Sequence, residues 1–127
     1  MLLQLWYRLP AVAYAALLFW ASSRSRLPLP DLGLGFEDKV AHLLAYALLA
    51  FLVHRALSRP RKLTARVLST AWLLSAGYAL SDELHQRFVP GRQFDLWDLA
   101  FDVAGITLAL VLLGRLRPQP RAAGGSV

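Results

Sequence analysis

Apolar residues fill four long runs of this chain, and three of the runs stop a few residues short of a bilayer span. Between Lys39 and Arg55 lie 15 residues without Lys, Arg, Asp or Glu; between Arg66 and Asp82 lie 15, and between Asp102 and Arg115 only 12. A spanning helix needs roughly 20 residues, about 17 at the least. The runs reach that length only by taking in "EDKVAH" (37–42), "SDELHQ" (81–86) and "DLWDLAFD" (95–102). Strand-like alternation is absent, and no internal repeat is visible. The pattern predicts an all-α integral membrane bundle of four transmembrane helices, near 4–22, 38–57, 66–87 and 95–114. These make one domain over 1–114, and the breaker-rich tail 115–127 reads as a disordered cytoplasmic segment.

The joining segments carry turn chemistry. "SRLPLPDLGLG" (25–35) holds two prolines and two glycines, "SRPRK" (58–62) is basic with a proline, and "VPGR" (89–92) holds a Pro-Gly turn signal. The first run, Leu9 to Ala21, follows Arg8 and could be a cleaved signal peptide, cut near Ala21 to Ser23. Three hydrophobic segments follow it, so we read it as a retained anchor whose Arg8 snorkels to the headgroups.

Composition supports the bilayer. Hydrophobic residues make up 57% of the chain, against a soluble average of roughly 45–50%, and the mean hydropathy is +0.44. The net charge is +6, from 14 Lys+Arg and 8 Asp+Glu. The basic residues sit in short loops beside apolar runs, which fits membrane orientation and argues against nucleic acid as a partner. Arg55, Arg59, Arg61, Lys62 and Arg66 cluster between the second and third helices, and Arg115, Arg117 and Arg121 follow the fourth. Cytoplasmic loops gather Lys and Arg, so both termini are expected in the cytoplasm of a multi-pass cell-membrane protein. All eight acidic residues then fall in the outer loops or the outer parts of the helices. Trp6 and Tyr7 mark the inner boundary, and Phe19, Trp20 and Trp97 the outer one. Cysteine is absent, which excludes disulfides, thiolate metal sites and cysteine nucleophiles.

Helical spacing sorts the polar groups onto faces. Asp38, His42 and Tyr46 share one side of the second helix. Tyr78, Asp82, His85 and Gln86 share a face of the third, and Glu83 points about 100° away from Asp82, toward a different neighbour. Asp95, Asp98 and Asp102 share a face of the fourth, Asp102 roughly 10 Å deeper than Asp95. Asp38 and Asp95 stand where an N-cap belongs, and Asp98 follows Asp95 as in a capping box. Lys39 and Arg92 are available as ion-pair partners. Small residues at four-residue spacing, Ala71, Ser75 and Ala79, then Gly105 and Ala109, suit close helix approach.

Ionisable groups at membrane depth are expensive and usually mark a function. One reading is an outward-facing site for a lipid headgroup or cell-wall-related ligand, lined by Asp38, Lys39, His42, Tyr46, Asp82, Glu83, Gln86, Arg92, Asp98 and Asp102, with Arg92 and Lys39 as anion partners. A second is metal- or acid/base-dependent hydrolysis. Its catalytic candidates are His42, Asp82, Glu83, His85 and Asp98, and its divalent-metal candidates are His42, His85, Asp98 and Asp102. A third is a proton-linked transporter, since Asp and His chains act as relays. The structural alternative is an ion-paired network that fixes helix register. No serine sits in a nucleophile context, and phosphate-cradling glycine loops and HExxH are missing. With four short helices a homodimer would help hide so many charges.

The stretch "DKVAHLLAYALLAFL" (38–52) and the stretch "YALSDELHQRFVPGRQFDLWDLAFDVAG" (78–105) resemble the VanZ-like family. The shared order is Asp82-Glu83-x-x-Gln86, Pro90-Gly91-Arg92, then Asp98-x-x-x-Asp102-x-x-Gly105. The resemblance implies a small bacterial integral membrane protein of the cell envelope, in a family associated with resistance to the glycopeptide teicoplanin. That family often carries Asn where this chain has Asp102, so the position is either a charge or a hydrogen-bonding group.

Overall fold

A computed structural model describes residues 2–25, 33, 35–58 and 64–116, with side chains from residue 4. Four helices follow one another: α1 (Leu2–Ser22), α2 (Glu37–Leu57), α3 (Ala65–Gln86) and α4 (Leu96–Leu116). No strand occurs among the described residues. The helices lie within two residues of the expected bounds, and the differences are local chemistry. Phe36 caps α2 without a side-chain hydrogen bond, so Asp38 lies inside the first turn and is not the N-cap its position suggested. Thr64 caps α3 through Val67 N–H. α4 runs on through Arg115 and Leu116, and the rest of the expected tail lies outside the described residues. So do most of the 25–35 and 58–62 loops, with Arg59, Arg61, Lys62, Arg117 and Arg121.

α2 is the central element. It packs on all three others, most extensively on α4, while α1 and α3 meet only lightly. The closest approach is at Gly105: a Cβ there would stand 2.1 Å from the Leu43 carbonyl oxygen. Ala71, Ser75 and Ala79 are fully buried along α3, as a small-residue packing stripe requires. Tyr46, Leu49, Ala50, Ile106 and Leu110 complete the apolar core. Side chains also bond between helices: Tyr14 to the Ala45 carbonyl, Tyr78 to the Ala15 carbonyl, and Trp72 to Thr107.

The distribution of polarity is inverted relative to a water-soluble bundle. Asp82, Glu83, Gln86, Asp98 and Asp102 are buried, and Glu83 and Asp102 have no exposed surface at all. Outside stand Leu5, Trp6, Leu9, Val12, Leu17, Phe19 and Trp20 on α1, Leu73, Leu74, Leu80 and Leu84 on α3, and Leu108, Val111 and Leu112 on α4. Buried charge and broad apolar exposure are each unusual for a protein in water. By length and composition two helices, α2 and α4, could cross a membrane. The four-span expectation is thus met in helix number but not in apolarity. α1 carries Arg8 and Pro10, and α3 carries Asp82, Glu83, His85 and Gln86 in its last two turns.

Candidate functional site

Many of the polar groups expected at one end of the bundle lie together there, in two nests, while His85 and Arg92 stand outside both. The first nest is centred on Asp82 of α3. Its Oδ2 accepts the Tyr46 hydroxyl at 2.7 Å and its Oδ1 accepts the Ser22 hydroxyl at 2.5 Å. Asp82 therefore ties α3 to the end of α1 and the middle of α2. A carboxylate with both oxygens hydrogen-bonded in a buried place is well satisfied. Ser22 was not among the residues singled out from sequence. A lone serine at the end of an apolar helix carries no signal of its own, and its role emerges only once α1 stands beside α3.

The second nest joins α2, α3 and α4. Lys39 donates to Asp98 Oδ1 and to Asp95 Oδ2 at 2.9 Å, and stands 3.2 Å from Asp38. His42 Nδ1 lies 2.8 Å from Asp102 Oδ1, and its Nε2 lies 3.6 Å from Asp98 Oδ2. With the Asp102 carboxylate accepting, Nδ1 carries a proton and the ring is held so that Nε2 faces Asp98. Asp102 Oδ2 is buried and has no hydrogen-bond partner among the described residues.

Glu83 completes this nest from α3. One of its oxygens accepts Gln86 Nε2 and the other accepts Asp95 N–H, both at 3.2 Å. Asp95 meanwhile caps α4: its Oδ1 accepts Trp97 N–H at 2.8 Å. In an ordinary capping box the residue three positions on bonds back to the cap N–H. Here Asp98 turns to Lys39 and His42, and Glu83 from a neighbouring helix takes that role. Asp95 stands just outside α4, and the Lys39 ammonium and Trp97 N–H hold its carboxyl below the usual carboxylate range.

The loop between α3 and α4 is fixed by a turn at 89–92, with Arg92 N–H bonded to the Val89 carbonyl at 3.1 Å. Pro90 and Gly91 occupy its centre, and Gly91 has φ +78°, as a type II turn requires. The turn delivers Arg92, whose Nε donates to the Arg24 carbonyl at 3.1 Å. Among the described residues Arg92 pairs with no carboxylate, so the ion pair considered from sequence is made by Lys39 alone. His85 lies apart from both nests. It stacks on Phe19 at 4.6 Å, with Nε2 3.0 Å from Ser23 Oγ.

A cavity of about 320 Å³ opens between these elements. His42, Tyr46, Asp82, Gln86 and Asp98 face it, with Asp38 and Arg92 also in its lining. Leu18, Ala21, Ala41 and Ala45 supply apolar wall. Its size falls within the range of small-molecule sites.

No curated protein and no solved structure matches this chain significantly. The profile of the VanZ/LLP1 family, however, matches residues 5–117, and the chain belongs to that family.

Proposed function

We propose that the protein is a four-span membrane protein of the cell envelope. Its cavity opens on the extracytoplasmic side and holds the polar headgroup of an envelope lipid or a cell-wall-related amphiphile. The observation that carries this reading is the lining: a guanidinium that meets no carboxylate among the described residues shares one cavity with acidic groups and apolar wall. Arg92 suits a phosphate, because its planar fork offers parallel donors to two oxygens. Asp38, more than half exposed at the lip, suits an amine. Leu18, Ala21, Ala41 and Ala45 suit the first carbons beyond the headgroup.

The inverted surface supports the bilayer. What lipid meets is the outward face of a helix, not its average composition. The acidic residues of α3 point inward, and Leu73, Leu74, Leu80 and Leu84 point outward, so α3 can span despite its low apolarity. On α1 an exposed apolar stripe from Leu5 to Trp20 does the same. The family's association with teicoplanin resistance fits a pocket for a ligand of cell-wall metabolism.

Lipid retained by protein purified in mild detergent tests the reading, quantified by mass spectrometry after exchange into phosphatidylethanolamine or phosphatidylglycerol micelles. Losing a charge-assisted contact costs about 1.5–3 kcal/mol, so Arg92→Gln should weaken retention of both lipids by about tenfold or more. Asp38→Asn should weaken phosphatidylethanolamine selectively. If Arg92→Gln keeps its helicity and holds both lipids as well as the wild type does, the headgroup reading fails.

A further inference from the structure

We infer that His42, Glu83 and Asp98 form a binding site for one divalent transition-metal cation of the zinc or manganese type. Each offers a donor atom, one from each of α2, α3 and α4, and the three donors lie within 4.8 Å of one another. A tetrahedral zinc ion has donors about 2.0–2.2 Å away, hence roughly 3.4 Å apart. His42 Nε2 and Asp98 Oδ2 stand 3.6 Å apart, already near that spacing. Binding then needs mainly the Glu83 carboxylate, whose donor stands within 4.8 Å of the other two, to close in. An imidazole with two carboxylates favours zinc or manganese over magnesium, which keeps oxygen ligands and several waters.

Two further observations point to an ion there. The first is the support behind each donor. Asp102 holds His42 Nδ1, leaving Nε2 free to face Asp98, the carboxylate–histidine arrangement that backs metal-bound imidazoles. Lys39 holds Asp98 Oδ1, and Asp95 N–H and Gln86 hold the Glu83 oxygens. Carboxylate oxygens each carry two lone pairs, so these bonds leave capacity for a cation. The second observation is the charge balance. Asp82, Glu83, Asp98 and Asp102 are all buried; among the described residues the one lysine or arginine ion-paired with any of them is Lys39, which meets Asp98 and is shared with Asp38 and Asp95. Asp102 Oδ2 is buried with no hydrogen-bond partner among the described residues. Buried carboxylate charge that exceeds its nearby positive charge is costly, and a divalent ion beside it offsets that cost.

With three protein donors the ion keeps an open coordination position. His42 and Asp98 line the cavity and Glu83 is not part of its lining, so a ligand in the cavity would reach the ion past His42 and Asp98. His85 takes no part, although its residue type made it a candidate from sequence. The inference stands apart from the headgroup reading, since the ion would bind whether or not an amphiphile fills the cavity.

The test uses the full chain in detergent, stripped with a chelator and titrated with zinc alone. One zinc per chain is expected. His42→Ala and the near-isosteric Glu83→Gln should each weaken binding by at least about tenfold, with His85→Ala unchanged. Because either variant could lose its fold, the wild type is also labelled with 15N-histidine. Zinc should move the imidazole signals of His42 and leave those of His54, some 18 Å along α2 at 1.5 Å per residue, and of His85. Substoichiometric zinc on the wild type, or a zinc response assigned to His85 or His54, overturns the site. Loss of lipid retention in Arg92→Gln with zinc binding intact would separate the two proposals.

Discussion

Asp82 and Glu83 are neighbours in sequence and serve different helices. The 100° step between them sends Asp82 to Ser22 and Tyr46, and Glu83 to Asp95 N–H beside Asp98. That division was legible in the helical period alone, as was the capping role of Asp95. What the period could not tell was that Glu83 would close the cap of α4 from outside, because that depends on how α3 and α4 pack. Asp95 also gives a pH prediction. Its carboxyl is held low by Lys39, so the contribution is present above the ordinary aspartate pKa of about 3.9 and is lost as pH falls through the lower folded value. The side chain is 41% exposed, which limits such a pair to about 1 kcal/mol or less. Wild type should therefore melt up to a few degrees above Asp95→Asn at pH 7, and the gap should be smaller at about pH 3, below the ordinary aspartate pKa. A gap of the same size at both pH values would show that the ion pair with Lys39 is not its source.

At the scale of elements, the α2–α4 contact is the one the site depends on, because it sets Lys39 and His42 against Asp95, Asp98 and Asp102. Gly105 fixes its closeness. In an isolated helix Gly→Ala gains about 1 kcal/mol of propensity. Here the added methyl would meet the Leu43 carbonyl at 2.1 Å, so backbone must move, and overpacking costs typically 1–3 kcal/mol. The clash should win: Gly105→Ala is expected to lower the melting temperature in detergent and loosen the His42–Asp102 contact. A variant at least as stable as the wild type would mean that the helices stand further apart than described. The small-residue spacing at Gly105 and along Ala71, Ser75 and Ala79 was readable in the sequence as a packing signal. Which helix met which stripe was not, since spacing names a face but no partner. The N-cap expected at Asp38 failed for a related reason: Phe36 is the N-cap of α2, and Asp38 in the first turn is left to Lys39.

For the whole molecule, the runs of hydrophobicity predicted four helices, and the described residues form four. Their shortfall in apolarity was itself the clue to an interior polar site. The cavity was not legible, because it arises from Ser22 and Leu18 on α1 standing beside Asp82 and Tyr46. Nor was the distribution of labour between Lys39, which takes the acids, and Arg92, which stays without one among the described residues. Aromatic and basic groups pair at both ends of the bundle, Arg55 over Tyr7 and Arg24 over Trp20, as residues at the two boundaries of a bilayer would. If lipid meets an apolar exterior around a polar cavity open to the outside, the two surfaces differ in their access to water. Because the chain lacks cysteine, single introduced thiols report it directly in intact cells with a membrane-impermeant reagent. Ala41 lines the cavity, whereas Leu44, one turn away on α2, and Leu108 are exposed on the outer surface. Ala41→Cys and a cysteine at position 30 should label, while Leu44→Cys, Leu108→Cys and a cysteine at position 60 should stay silent. Labelling of Leu44→Cys and Leu108→Cys as fast as Ala41→Cys would place water where the account places lipid, and would contradict it.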